Sequence, residues 1–440
     1  MADAAGRLSK LAEEVLGVPL PVRIRAWDRS ESGPPGVPTL VIRSRRALRR
    51  LLFKPGELGL ARAWVAGDIE VEGDLYEALD LLAGLIWERG TAAPKPRRAA
   101  ALRTLARPEV RAAARELLAL AGPPIPPTPP AEEARFRRGP LHTLLRDKEA
   151  ISHHYDVGND FYALVLGPSM VYSCAYWGTG EDTAASLEDA QRDKLDLICR
   201  KLGLQEGQRL LDVGCGWGSM VLHAAREYGV RAVGITLSDE QAAYARKRIA
   251  DAGLADRIEI RVQDYREIKD EPYDAISSIG MAEHVGRARY AEYANALYAL
   301  LKPGGRLLNH QIARRPVENE EAYHVDEFID RYVFPDGELA PVGQTVGQLE
   351  EAGFEVRDVE AIREHYALTL RQWVANLEAH WDEAVGLTSV GRARVWQLYM
   401  AASALSFERN RIGVNQVLAV RTPESGSSGL PLRARVWRSA

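Results

Sequence analysis

Residues 209–220, Arg209-Leu-Leu-Asp-Val-Gly-Cys-Gly-Trp-Gly-Ser-Met220, constrain this chain more than any other stretch. The apolar run Leu210, Leu211 and Val213 has the character of a strand buried on both faces in a parallel sheet. Gly214, Gly216 and Gly218, at alternate positions, then form a turn whose backbone can approach a ligand closely. A helix is predicted from about Met220 to Tyr228. Strand, glycine turn and helix N-terminus together make a nucleotide-binding corner of an open α/β sheet. The spacing departs from the dinucleotide fingerprint, and no Lys-Ser/Thr follows to make a phosphate loop. Asp212, just before the glycines, suits a positively charged or amino-bearing ligand better than a pyrophosphate. That points to S-adenosylmethionine, the alternative being a purely structural glycine turn.

From residue 187 onward, helix and strand patterns alternate as in a doubly wound, Rossmann-like sheet. A helix is predicted over 187–202, with strands over 210–213, 231–235, 258–262, 273–279 and 305–310. Ligands in such sheets lie at the carboxyl ends of the strands. The second strand ends in Thr236 and Leu237, with Gln241 opening the next helix; the third ends at Asp264 and Tyr265. Each signal is weak alone, but their order and spacing favour a donor site with the ribose near Thr236, Leu237 and Gln241. Asp264 and Tyr265 then lie near the adenine. The segment 311–385, rich in aromatics and charges, is expected to form a helical lid. A further helix is predicted over 395–411 and a late strand over 413–421.

The first third of the chain differs in character. A short amphipathic helix (4–16), strands near 21–27 and 39–43, and helices over 47–53 and 75–87 predict a small α+β domain. Its expected span is 1–120, with a Pro-rich linker at 121–144 containing Gly122-Pro-Pro-Ile-Pro-Pro-Thr-Pro-Pro130 and a catalytic domain at 145–440. Residues 1–138 hold 23 Lys and Arg against 17 Asp and Glu, although the whole chain carries a formal charge of −4. The excess clusters at Arg43, Arg45, Arg46, Arg49, Arg50 and Lys54, and again at Lys95, Arg97, Arg98, Arg103, Arg107 and Arg111. Such clusters meet anionic headgroups or form a solvated helix face. The absence of a bilayer-length apolar run and of an apolar leader predicts a cytoplasmic protein. The three cysteines have neither metal-ligand nor disulfide spacing.

The substrate side holds an unusual set. Glu283 and His284 follow the fourth strand, His310 ends the fifth, and Cys174 lies in Tyr172-Ser-Cys-Ala-Tyr-Trp177. Their scattered spacing argues against a metal, and none is expected. Glu283 or His310 could act as a base near a bound methyl donor, or could serve as strand cap and ion-pair partner. Cys174 has no setting that would lower its pKa.

Nine ordered motifs resemble the cyclopropane-fatty-acid-phospholipid synthases and their mycolic acid relatives. They are HHYDVGNDFY, MVYSCAYW, LLDVGCGWGSM, VGITLSDEQ, QDYREI, GMAEHVG, LNHQIA, FIDRYVFPDGEL and HYALTLRQWVANLE, spread over about residues 145–420. The resemblance implies transfer of the S-adenosylmethionine methyl to a cis double bond of a phospholipid acyl chain. The resulting cation then loses a proton and closes to a cyclopropane. It also implies a bound bicarbonate as base, held by Cys174, Glu283, His310, the amide of Ile312 and Tyr366. Donor-binding roles carry over to Tyr172, Ser173, Gly214, Gly216, Thr236, Leu237, Gln241, Asp264 and Tyr265. The aromatic side chains of Tyr332, Phe334 and Tyr366 could face the cation. Where some relatives have a late-helix cysteine, this chain has Ser403, which disfavours covalent catalysis there.

The resemblance further implies that the first domain presents lipid and forms a homodimer. It places the protein peripherally on the inner, anionic membrane face. Three other readings compete. A cousin could release a different proton and leave a methylene branch. A silent lipid-binding protein would need no intact donor turn. A nucleic-acid methyltransferase would need a catalytic motif and a basic groove that this acidic half lacks, so no nucleic-acid partner is expected.

Overall fold

The computed structural model describes residues 3–90, 108–134, 157–178, 186–320, 323 and 325–432, which fall into two units. The first comprises the described residues up to 134 together with Ser389–Leu405. The second comprises the remainder.

The first unit is built on a four-stranded sheet of order β2-β1-β3-β4, where β1 is Arg23–Arg25, β2 Glu31–Ser32, β3 Thr39–Ile42 and β4 Ile69–Glu72. Helices α1 (Ala4–Leu16), α2 (Arg46–Phe53), α3 (Glu57–Val65), α4 (Leu75–Gly90) and α5 (Pro108–Ala121) accompany it. Sequence patterning missed α5, and also β2, α3 and β4, whose short apolar runs are too brief to show a period. Asp3 caps α1 through the amide of Gly6, and Gly17 closes it in the left-handed conformation.

At least three of the six side chains in the first basic cluster of this unit are engaged in ion pairs. Arg43 pairs with Glu70, while Arg46 and Arg50 converge on Asp68 at 3.0 and 2.9 Å. Asp68 is 1% exposed and Arg50 8%. Replacing Asp68 with Ala strands a buried guanidinium, so a loss of about 3 kcal/mol is expected in urea unfolding. A loss below about 1 kcal/mol would show that the pair is energetically idle. The proline-rich stretch is fastened within the unit. Arg50 donates to the Thr128 carbonyl at 2.9 Å, and Arg62 pairs with Glu133 at 2.6 Å. Of the second basic group, all but Arg111 lie outside the described residues.

Ser389–Leu405 complete this unit from the far end of the sequence. Arg394 stands over the Trp64 ring at 5.0 Å and donates to the carbonyls of Trp64 and Ile69 at 2.8 and 2.9 Å. The Trp64 indole returns a bond to the Arg394 carbonyl at 3.0 Å.

The second unit contains a seven-stranded sheet of order β10-β11-β9-β8-β5-β6-β7. Its strands are β5 (Arg209–Val213), β6 (Arg231–Thr236), β7 (Ile258–Val262), β8 (Tyr273–Ile279), β9 (Leu301–Arg314), β10 (Glu355–Ala361) and β11 (Ile412–Val420). Strands β5 to β9 are parallel; β11 runs antiparallel to both β9 and β10. The order reverses at β5, with β6 on one side and β8 on the other, which opens the crevice where such sheets bind ligands. Helices α6 (Asn159–Leu166), α7 (Leu187–Leu202), α8 (Ser219–Tyr228), α9 (Asp239–Asp251), α10 (Tyr290–Ala299), α11 (Val342–Glu351) and α12 (Arg363–Ala379) belong to this unit. A further helix, α13, spans Val390–Glu408. The core lies on both faces of the sheet, with Leu210, Val221 and Ile258 on one side and Leu211, Ile276 and Leu297 on the other.

The strands and most helices match the sequence expectation, with α6, α10 and β10 as additions. The 311–385 segment is largely helical but also holds β10, which adds an edge strand to the sheet. The pattern over 142–152 also predicts a helix, and that stretch lies outside the described residues. Among the described residues, no helix is long and apolar enough to cross a membrane.

Candidate active site

The glycine turn after β5 is built for close backbone approach. Gly214 adopts φ +80°, and its amide and that of Cys215 both donate to the Ile235 carbonyl, at 3.0 and 2.9 Å. A Cβ at Gly214 would stand 3.2 Å from the Met281 side chain. Gly218, at φ +81°, lets α8 pack against α9, since a Cβ there would lie 3.1 Å from Ala245. An L side chain rarely adopts either backbone conformation.

A cleft opens at this turn. Gly214, Gly216, Thr236, Leu237, Gln241, Asp264 and Tyr265 line it, together with Gln263, Gly280, Met281 and His284. Seven of the expected donor residues thus surround one space, while the sequence reading assigned none of the last four to the donor. Thr236 donates to Gln241 Oε1 at 2.8 Å, and Ser238 caps α9 through the Gln241 amide. The Asp264 carboxylate accepts from Arg266 at 2.7 Å, so its charge is compensated.

Four expected donor residues are not in that lining. Gly218 serves packing. Asp212 lies buried beneath the turn and accepts from Ser277 at 2.7 Å. Burial pushes its pKa up to about 6, against the pull of that hydrogen bond and of Lys194. Tyr172 lies between Tyr162 and Trp373, with ring centroids at 5.6 and 5.4 Å. Ser173 is gripped by α7, a helix whose sequence pattern carries no sign of a role in the site. Lys194 Nζ donates to its hydroxyl at 2.9 Å, and Gln191 Nε2 to its carbonyl at 3.0 Å.

Two of the expected acid–base residues, Glu283 and His310, meet at β9. Glu283, on the short helix Ala282–Val285 after β8, accepts the Ile312 amide on Oε1 at 2.7 Å. Its Oε2 is sealed from solvent with no partner among the described residues. Burial raises this carboxyl to about 7. His310, two residues before Ile312 on β9, is buried with an equally partnerless Nε2. Burial, Lys194 and Lys201 hold its pKa well below the usual histidine value. Cys174 is fully buried, its thiol directed at the Ile362 carbonyl at 3.6 Å, and burial raises its pKa. Ile362 precedes α12, whose next turn carries Tyr366 against Phe407 at 4.7 Å. Of the other expected aromatics, Phe334 packs on His284 at 5.7 Å and Tyr332 on Phe328 at 5.6 Å.

Comparison with known proteins identifies the family. Residues 142–417 match the model of a family described as mycolic acid cyclopropane synthetase. The chain belongs to this family. It is an S-adenosylmethionine-dependent methyltransferase of the cyclopropane synthase type. It is 44% identical to a probable fatty acid methyltransferase of Mycobacterium tuberculosis, over 94% of both chains. It is 39% identical to the cyclopropane-fatty-acyl-phospholipid synthase of Escherichia coli, over 62% of this chain and 68% of that one. Among solved structures, the mycolic acid cyclopropane synthase CmaA1 complexed with SAH and CTAB superposes with a TM-score of 0.58 at 34% identity. That match covers 62% of this chain and 98% of CmaA1. The cyclopropane synthase relationship therefore covers chiefly the second unit, whereas the fatty acid methyltransferase relationship runs through both.

Proposed function

We propose that this protein methylates the cis double bond of a phospholipid acyl chain and closes the product to a cyclopropane. A carbon–carbon bond forms from the donor methyl to one alkene carbon as the sulfonium S–C bond breaks, leaving S-adenosylhomocysteine and a carbocation. Loss of a proton from the new methyl then supplies the electron pair that closes the ring.

The observation that carries this reading is the pair of sealed, partnerless polar atoms, Glu283 Oε2 and His310 Nε2. Buried polar groups ordinarily find partners, and a small polar guest would satisfy both. Bicarbonate fits that donor set, held by Glu283, His310, the Ile312 amide, Cys174 and Tyr366. When bound, it would supply a weak proton acceptor beside the cation. The Ile312 amide fixes one Glu283 oxygen, leaving the other to meet the guest. The charge of Lys194, which opposes a charged imidazole, favours an anion in the same place. Cys174 stays a thiol and so presents no thiolate to trap the cation. Basic residues of the first unit and the family resemblance support presentation of anionic lipid at the cytoplasmic membrane face by a homodimer.

A second reading, loss of a different proton to leave a methylene branch, is favoured by the relative that matches both units and is described as a fatty acid methyltransferase. One experiment separates the two. Protein, donor and vesicles of a monounsaturated anionic phospholipid are incubated with and without added bicarbonate, and the fatty acids are analysed before and after mild hydrogenation. A one-carbon-heavier product that survives hydrogenation means ring closure; one that takes up hydrogen means the branch. No added carbon would sink both, and a rate indifferent to bicarbonate would remove the proposed base.

A further inference from the structure

A row of polar side chains crosses three strands beside the proposed anion site. Sheet register sets Glu360 of β10 opposite Gln416 of β11, and Gln416 opposite His310 of β9. Lys201, from the last turn of α7, reaches this row although its side chain is fully buried. Its ammonium pairs with Glu360 at 2.6 Å, lies 3.7 Å from Asp358, and donates to Gln416 Oε1 at 2.8 Å. Gln416 Nε2 approaches His310 Nδ1 at 3.3 Å.

Hydrogen-bond polarity fixes the rest. An ammonium has three donors and no acceptor, so the Gln416 oxygen must face Lys201. The amide nitrogen then faces His310 and offers only hydrogens, so Nδ1 must present its lone pair. In a neutral imidazole the single ring proton is then on Nε2, the atom left without a partner. Burying Lys201 with two carboxylates is not explained by stability, because apolar residues of similar volume commonly do as well or better. A geometric task accounts for it.

We propose that Gln416, oriented by Lys201, is a positioning residue that locks His310 in its Nε2–H tautomer, making it a donor toward the anion held with Glu283. The tautomer follows from the contacts alone; only the identity of the acceptor rests on the bicarbonate reading.

The test uses the full chain carrying 15N-labelled histidine, with the His310 ring nitrogens assigned by their loss in His310→Gln. Wild type is expected to show a protonated Nε2 and an unprotonated Nδ1. In Gln416→Glu, the carboxylate can only accept, so the proton is expected to move to Nδ1. Turnover should fall roughly 100-fold and the bicarbonate concentration for half-maximal rate should rise, with donor affinity unchanged. Gln416→Leu adds no charge and should lose the tautomer preference, which separates the tautomer from a charge effect. An imidazolium or a protonated Nδ1 in wild type would overturn the proposal without any variant being needed. So would a swapped tautomer in Gln416→Glu with turnover intact. If the tautomer swaps and turnover falls, but wild-type turnover ignores bicarbonate, the lock stands and the bicarbonate reading fails.

Discussion

Exchanging Glu283 for Gln is expected to cut turnover at least about 100-fold while making the chain more stable at pH 8. The amide keeps an oxygen for the Ile312 N–H, so the local fold is preserved. What it loses is the capacity to carry charge or to move a proton at the second oxygen. The stability change follows from the carboxyl, raised to about 7 by burial from an ordinary value of 4.5. Between those values the folded state binds more protons than the unfolded chain. The associated stability is therefore fully present below pH 4.5 and lost as pH rises through 7. Glutamine does not titrate, so the variant should gain on wild type by about 3 kcal/mol between pH 4 and pH 8. Urea unfolding at both pH values, with initial rates and donor titrations alongside, checks this. Parallel pH profiles for the two proteins would mean that Glu283 is not held as a desolvated acid. A donor affinity moved more than about threefold would place it in donor binding instead.

The second large effect is expected at Gly214. A valine there must hold φ +80° and bring its Cβ within 3.2 Å of Met281. That backbone strain alone amounts to about 1–3 kcal/mol, and the turn can relieve it only by moving away from the cleft it lines. S-adenosylhomocysteine should then bind about 100-fold more weakly by calorimetry, a change of about 2.7 kcal/mol. Gly304→Val provides the comparison, since Gly304 has φ +82° but no atom within 4 Å of its notional Cβ. It should destabilise the chain comparably and leave the affinity alone. Equal affinity losses in both variants would show that the turn at Gly214 has no special part in holding the donor.

The residues that line the cleft at the glycine turn are legible in the sequence because their signals are local. A short apolar strand, alternate glycines and a capped helix each declare themselves within a dozen residues, and the parallel fold forces their ends together. The acid–base half is not. Glu283 meets β9 only through the Ile312 amide, two residues beyond His310, whereas Cys174 reaches the Ile362 carbonyl, and the resemblance, rather than spacing, joins the three into one set. Strand β10 was missed for a sharper reason. Its inward residues are Asp358 and Glu360, so its hydrophobic pattern is inverted and reads as surface. Their partner, Lys201, is about 160 positions away in the sequence. Lys194 and Lys201 themselves, a heptad apart on α7, mimic a solvated stripe, yet both are buried.

The return of Ser389–Leu405 to the first unit bears on the order of events during synthesis. Strand β4 and Trp64 emerge from the ribosome early, but Arg394 and its neighbours follow only after nearly the whole second unit has been made. At typical elongation rates that interval is on the order of fifteen to sixty-five seconds. The unit that begins the chain is thus among the last to be finished, and the nascent polypeptide must carry it incomplete while most of the methyltransferase sheet is being made.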